Sequence, residues 1–334
     1  MGDWKSFLST DPTGWLLQEG NPSVLYATLI DLMGKTERSS EVKQAKRRIM
    51  HEGVVPRILA RQEEGGYWGV PGDFYVRSKY RGTVWQIIIL AELAADAGDK
   101  RIMKACEFIL EYSQDRNSGG FAYFGSPEGG GEKDKVLPCL TGNMVWSLIR
   151  LGYMNDPRVK RGIDWINTYQ RFDDGTKAPK GWPYDGRENC WGKHTCHMGV
   201  VKSLKALAEI PPRRRTAAVK KTLGEGAEYL LCHHIYKGSH DPDRVSKEEW
   251  LRFGFPLIWK TDALEMLGLL VKLGYRDPRM MEAMDLVLSK QDEEGRWFLE
   301  KTFNGRFITN IERKGKQSKW VTLHALKAIK GIYQ

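Results

Sequence analysis

The stretch "RLGYMNDPRVKRGIDWINTYQ", residues 150–170, has a second copy in the chain, "KLGYRDPRMMEAMDLVLSKQ", residues 272–291. Both copies run from Leu-Gly-Tyr through Asp-Pro-Arg into an amphipathic segment that ends in Gln. A weaker copy, "DAGDKRIMKACEFILEYSQ", covers residues 96–114. Self-similar segments at a regular interval are the signature of a repeat architecture.

Each repeat ends at a Gln that is followed by a glycine turn and an aromatic residue. These glutamines are Gln62, Gln114, Gln170 and Gln291, at intervals of 52, 56 and 121 residues. The last interval spans two units, so the period is about 55 residues. Glycine allows a left-handed turn after a helix. We expect the aromatic ring to pack back over the helix end and the Gln amide to bond the backbone groups left free there.

Six segments are apolar on most faces, and most end at a Gly or Pro stop signal, which predicts six buried inner helices. They cover residues 21–34, 81–98, 140–153, 196–211, 261–275 and 318–333. Outer helices with Lys, Arg and Glu stripes are predicted over residues 41–62, 100–114, 157–170, 214–232 and 277–291, with residues 1–18 as a sixth. This arrangement predicts an all-α (α/α)6 barrel, or toroid. Because no long linker interrupts it, we expect a single domain over residues 1–334.

The Gln-to-aromatic turns resemble the squalene cyclase-like repeats of the terpenoid cyclase and protein prenyltransferase superfamily, over nearly the whole chain. The resemblance implies the toroid fold and an enzyme acting on an isoprenoid-like substrate. Class II cyclases of this superfamily protonate an alkene with the middle Asp of an Asp-x-Asp-Asp motif, which this sequence lacks. Asp262, at the start of an inner helix, is the candidate acid instead; its alternative role is a helix-capping carboxylate.

Composition limits the function classes. The formal net charge of +10 indicates an anionic partner, either a small molecule, a membrane surface or nucleic acid. No apolar run is long enough to predict a transmembrane segment, and the N-terminus does not read as a signal peptide. Five cysteines, an odd and sparse number, indicate reduced thiols and a cytoplasmic location.

The candidate substrate site lies where the inner helices begin. Parallel inner helices place their N-termini at one end, where helix dipoles and free N–H groups favour an anion. Cations near these starts are candidates to hold it, and tryptophans of the inner segments are candidates to line an apolar cavity, although they suit a packed core equally well. The predicted substrate-binding residues are Arg81, Trp85, Asn143, Trp146, Trp259, Lys260, Lys319 and Trp320.

Cysteine and histidine concentrate in "ENCWGKHTCHMG", residues 188–199, at the start of the fourth inner helix. The third inner helix starts nearby with Cys139. Two thiolates and an imidazole suit a tetrahedral Zn²⁺ with one open position, so we predict Cys139, Cys196 and His197 as ligands, with Cys190 or His194 as replacements. The alternatives are a metal-free cysteine site, with Cys139 and Cys196 as catalytic residues, or simple packing.

Two toroid families resemble parts of this pattern. The Cys139 and Cys196-His197 pair is similar to the zinc ligands of lanthipeptide cyclases, although Met198 separates His197 from the glycine. His194-Thr195-Cys196 is similar to the histidine segment of protein prenyltransferases. The leading prediction is therefore a zinc-dependent enzyme, either a transferase or a cyclase, for an apolar, isoprenoid-like substrate with an anionic end. The alternative is a non-catalytic toroid that binds a peptide or nucleic acid through its basic surface.

Overall fold

The computed structural model describes residues 3–175, 178–185 and 188–334, and the chain is mainly helical. Its helices are α1 (Thr13–Leu16), α2 (Pro22–Asp31), α3 (Ser40–Ile49), α4 (Val54–Leu59), α5 (Thr83–Glu92), α6 (Lys100–Tyr112), α7 (Pro138–Leu148), α8 (Pro157–Tyr169), α9 (Glu188–Trp191), α10 (His197–Ala208), α11 (Ala217–Cys232), α12 (Ala263–Lys272), α13 (Met281–Ser289) and α14 (Lys319–Tyr333). A short antiparallel hairpin pairs β1 (Lys237–Gly238) with β2 (Asp241–Val245). The helical class agrees with the sequence.

Two compact units make up the chain. Unit 1 comprises Met1–Arg57, Leu230–Leu257 and Thr261–Gln334, and unit 2 comprises Ile58–Tyr229 and Ile258–Lys260. Unit 2 holds α5 to α10 and most of α11, while unit 1 holds α1 to α3 and α12 to α14. The closed barrel and the single domain stay predictions.

In unit 2, the predicted inner helices α7 and α10 pack closely and in parallel. A Cβ atom on Gly199 would lie 3.2 Å from the Pro138 ring, near the start of both helices. One turn further along, a Cβ on Gly142 would lie 2.4 Å from the carbonyl carbon of Lys202. Glycine at both crossings therefore lets the two backbones approach closely.

Unit 1 shows the same parallel arrangement in α2, α12 and α14. The Lys330 ammonium near the end of α14 donates to the carbonyl of Leu32 at the end of α2, at 2.9 Å. A Cβ on Gly331 would lie 2.2 Å from a methyl of Val271 near the end of α12. Because α14 packs alongside α2 and α12 and the C-terminal ends meet, α14 runs parallel to both helices.

Two of the four glutamine turns make the bonds expected from the sequence. The Gln62 amide donates to the carbonyls of Gly66 and Arg101, at 3.0 and 2.9 Å. Gln114 repeats this one unit later, donating to Gly119 and Arg158 at 2.8 Å each. Each of these two amides thus joins its own glycine turn to the start of the next outer helix, whereas Gln170 donates to the carbonyl of Arg171 and Gln291 to that of Phe7.

The aromatic residue of the turn packs back on the preceding helix, as predicted. Trp68 donates its indole N–H to the carbonyl of Ile58 at 2.9 Å, and Trp297 does the same to Val287 at 2.7 Å. Both rings are fully buried. A buried indole with a satisfied N–H stabilises the turn through apolar area and one hydrogen bond together.

Two predicted outer helices are broken. Residues 41–62 form α3 and α4, separated at Gly53, whose φ of +75° ends the first helix. Residues 1–18 hold a 3₁₀ turn, Trp4–Phe7, and the short α1. Within the described parts of the chain, no helix has both the length and the apolar character needed to span a bilayer.

Candidate functional site

An aromatic cluster lies at the beginning of α5 in unit 2. Trp85, which is fully buried, stacks on Tyr75 with ring centroids 4.5 Å apart and donates its N–H to the Tyr75 carbonyl at 2.9 Å. Tyr80 also packs against Trp85, with 5.4 Å between the ring centroids. The predicted residue Trp85 is therefore part of a group of three aromatic rings.

Trp259 and Lys260 extend this cluster. The Trp259 indole N–H lies 3.3 Å from the Tyr80 hydroxyl oxygen, to which it donates. Two ammonium groups lie near the Trp259 ring, that of Lys79 at 5.0 Å and that of Lys260 at 5.6 Å from the ring centroid. The two ammonium groups can bind an anionic group of a ligand, while the aromatic rings pack against the apolar part of the same ligand.

Two buried amides hold the backbone of the cluster. Gln86 donates to the carbonyl of Tyr80 at 3.0 Å, and the predicted residue Asn143 donates to the carbonyl of Ile258 at 3.3 Å. Tyr80 and Ile258 both have left-handed backbones, with φ of 71° and 56°. For a β-branched residue this conformation is strained, and such strain collects at functional sites.

Sequence reasoning missed several residues of this cluster: Lys79, Tyr80, Tyr75 and Gln86. Arg81, which was predicted, lies in the same loop with its side chain exposed. The available signal was the run "YWGVPGDFYVRSKYRG", residues 67–82, which is rich in aromatic, basic and glycine residues. Its partner Trp259 lies 179 residues away along the chain, so this part of the cluster leaves no local signal in the sequence.

Trp146 lies near the opposite end of α7. Its indole N–H donates to the Glu209 carboxylate at 3.1 Å, and the Lys205 ammonium lies 4.0 Å from its ring centroid. Lys205 also pairs with Glu92 at the end of α5. Trp146 is therefore part of an ionic cluster at the C-terminal ends of three helices, where cations also meet the negative end of the helix dipoles.

In unit 1, Asp262 caps α12. Its two carboxylate oxygens accept the backbone N–H groups of Glu265 at 2.9 Å and Gly254 at 3.0 Å. Burial raises the pKa of Asp262 to about 6, against the opposing effect of the Lys301 ammonium. The capping role considered for this residue is thus observed in the structure.

Lys319 and Trp320 begin α14, also in unit 1. A carboxylate of the chain itself occupies this helix start, because Glu312 accepts the backbone N–H of Lys319 at 2.9 Å. Trp320 stacks on Phe255 with ring centroids 4.4 Å apart. Burial lowers the pKa of Lys319 and raises that of Glu312. A carboxylate of the chain itself therefore meets the backbone N–H groups at this helix start.

The three thiols predicted around the zinc site lie near one another in unit 2. Burial raises the pKa of the Cys139 thiol well above its usual range, and the nearby thiols of Cys190 and Cys196 add to the rise. Cys139 lies in the first turn of α7 and Cys196 is the N-cap residue of α10. A thiol with a raised pKa is protonated at neutral pH, which disfavours Cys139 as a metal-free nucleophile.

The two histidines of this segment point to different partners. Nδ1 of His197 lies 3.3 Å from the Tyr229 hydroxyl oxygen. Nδ1 of His194 lies 3.1 Å from Asp174, and the His194 side chain is 62% exposed. Within residues 3–175, 178–185 and 188–334, no three of the five predicted ligands have their ligand atoms within 4.8 Å of one another.

No protein-family model and no curated protein matches this chain. Among solved structures, it is similar to the type II terpene cyclase MstE from Scytonema. A variant of MstE in complex with its substrate geranylgeranyl dihydroxybenzoate is 12% identical, with a TM-score of 0.30 over 83% of this chain and 95% of that one. The apo enzyme is 11% identical, with a TM-score of 0.28 over 82% and 95%. Likenesses this weak show neither the family nor the activity, so the family stays a prediction from the repeats.

Proposed function

We propose that this protein is an enzyme that acts on an apolar, isoprenoid-like molecule with an anionic end, bound at the start of α5 and α7. The observation that supports this proposal is the hydrogen-bonded pair of Tyr80 and Trp259, with the ammonium groups of Lys79 and Lys260 beside it. The rings supply apolar area and the two cations supply the charge complement. The activity expected is of the terpenoid cyclase or prenyltransferase type.

The alternative, a toroid that binds nucleic acid or a peptide, needs cations available along the outer helices. Several outer-helix arginines are instead paired with carboxylates on the same surface. These are Arg48 with Glu52, Arg101 with Asp99, Arg158 with Glu107 and Asp156, and Arg279 with Asp277. Pairing of this kind reduces the charge that phosphates would meet, so the arrangement favours the small-molecule site.

Isothermal titration with geranylgeranyl diphosphate and with duplex DNA separates the two functions. We expect diphosphate binding, and we expect Lys260→Ala to weaken it by about fivefold to tenfold, as for the loss of one charged contact. Lys247→Ala is the matched control, because Lys247 lies over Trp250 at 5.5 Å just as Lys260 lies over Trp259. Binding of DNA alone, or equal losses in both variants, would overturn the proposal.

We also propose that Cys139, Cys196 and His197 bind one Zn²⁺. Thiolate and imidazole are the ligand types that zinc prefers. The Tyr229 hydroxyl near Nδ1 of His197 resembles the partners that orient metal-bound histidines, which leaves Nε2 as the ligand atom. The ligand atoms are too far apart in the structure to form a set of three, so we assign no catalytic step to the metal.

Elemental analysis tests the zinc site directly. In protein purified without chelators we expect about one zinc ion per chain, because the three proposed ligands form a single site. Cys196→Ala should lose the metal while its circular dichroism spectrum is retained, and Cys106→Ala, at a buried thiol on α6, should keep it. Metal-free wild-type protein, or zinc retained in Cys196→Ala, would contradict the site.

A further inference from the structure

Gln86 on α5 and Asn143 on α7 share an unusual bonding pattern. Both side chains are almost completely buried, with 0% and 2% of their surface exposed. Each donates its NH₂ group to the carbonyl of a left-handed residue of the aromatic cluster, Tyr80 or Ile258. The carbonyl oxygens at the other ends of the two amides are buried and find no hydrogen-bond partner among the described residues.

The orientation of these amides follows from their partners. A backbone carbonyl can only accept a hydrogen bond, so the end of each amide that faces it must be the NH₂ group. The other end of each amide is therefore its carbonyl oxygen. A flipped amide would place this oxygen against the oxygen of the backbone carbonyl, and the two would repel each other. Both remaining amide oxygens are hydrogen-bond acceptors, so each needs a hydrogen-bond donor.

Leaving such an oxygen buried without a donor costs about 1–3 kcal/mol. Buried polar atoms without a partner are few in native proteins, so each one requires a structural or functional explanation. The two amides are joined through the cluster itself, because Tyr80 and Trp259, the neighbour of Ile258, are in hydrogen-bond contact. One turn along the same face of α7, the hydroxyl of Ser147 is also buried without a partner.

We propose that Gln86 and Asn143 form an acceptor pair that recognises a hydroxyl group on the apolar part of the substrate. This inference rests on the proposed function, since it places the anionic end at Lys79 and Lys260. An ionised phosphate oxygen has no proton to donate and would be repelled by two amide oxygens. A hydroxyl donates to one of them, so the pair selects a hydroxylated apolar substrate over the plain hydrocarbon chain.

Two probes that differ by one hydroxyl test this recognition: dodecyl phosphate and 12-hydroxydodecyl phosphate, with the eight- and ten-carbon pairs as length variants. In the wild-type protein we expect the hydroxylated member of one pair to bind about threefold to tenfold more tightly, as for one hydrogen bond. In Gln86→Met and Asn143→Leu we expect the ratio of the two affinities to fall towards one, over and above any loss of affinity that both probes share.

Gln114→Met is the matched control. Gln114 is also a buried amide that donates to backbone carbonyls and has an oxygen without a partner, but it lies at the end of α6 in a repeat turn. It should leave the ratio of affinities unchanged. Equal binding of both members of every pair would overturn the acceptor pair alone. Binding of neither member by the wild type would overturn the proposed function and this inference together.

Discussion

At the scale of single residues, the capping carboxylates show how burial changes the chemistry of one residue type. Asp262 and Asp277 both accept a backbone N–H at the start of a helical segment. Asp262 is buried, and its pKa is raised to about 6, while the Arg279 side chain beside Asp277 lowers the pKa of Asp277 to about 2. The same local motif therefore predicts opposite dependences of stability on pH.

Asp262→Asn should remove part of the pH dependence of folding. The pKa of Asp262 is raised above the unfolded value of about 3.9, so its protonation stabilises the folded state. This contribution is complete below a pH of about 4 and is lost as the pH rises through about 6. The unfolding free energy of the wild type minus that of Asp262→Asn should thus fall by up to about 3 kcal/mol over this range.

Urea unfolding followed by tryptophan fluorescence at pH values from about 4 to 7 measures this difference. The control is Asp277→Asn, whose contribution is lost only as the pH falls below about 4, so its difference should stay flat in this range. A flat difference for Asp262→Asn as well would show that this carboxylate is not buried as described.

At the scale of elements, helix packing in unit 2 depends on a few glycines within helices. Gly142 lies where α7 meets the backbone of α10 at Lys202 and Ser203. Gly268 is in the middle of α12, and a Cβ atom there would meet nothing within 4 Å. The two glycines look alike in the sequence, and only the neighbouring helix distinguishes them.

Gly142→Ala should destabilise the protein by about 1–3 kcal/mol, because the new methyl group meets rigid backbone and the helices must separate. Gly268→Ala should be neutral or stabilise by up to about 1 kcal/mol, because alanine favours a helix and has room. Thermal unfolding of the two variants beside the wild type provides the measurement. Equal stability of the two variants would mean that α7 and α10 do not approach at Gly142.

At the scale of the whole molecule, the single domain predicted over residues 1–334 should unfold in one cooperative step. Cys106 on α6 of unit 2 is completely buried, and burial raises the pKa of its thiol above the usual range. It can react with an alkylating reagent only when α6 opens. In unit 1, the backbone amides of α14 report opening through hydrogen exchange.

For a single cooperative domain, alkylation of Cys106 and exchange of the α14 amides should rise at the same urea concentration. Pulse labelling with N-ethylmaleimide and hydrogen exchange, both read by mass spectrometry along one urea series, measure the two midpoints. The Cys106→Ala variant is the control, because any label that it takes up lies on one of the other four thiols. Two separated midpoints would contradict the single domain.

The sequence by itself determined the helices and the turns between them. Apolar periodicity, Asp caps and Gly stops are local signals, so all six segments of the predicted inner set form helices, and Gln62 and Gln114 bond the groups that their turns leave free. The interruption at Gly53 was missed because one residue with a positive φ scarcely changes a helical pattern.

Only the tertiary structure decided what these helices face. Asn143 meets Ile258, 115 residues away, and Trp146 meets Glu209, 63 residues away, so neither contact leaves a periodic trace in the sequence. The start of α14 meets Glu312, whose carboxylate caps the helix, and the sequence pattern does not show this partner. Burial can be predicted from a local pattern because it depends on the apolar face of one element. The partner of a buried polar group cannot, because it is set by the chain path that brings distant segments together.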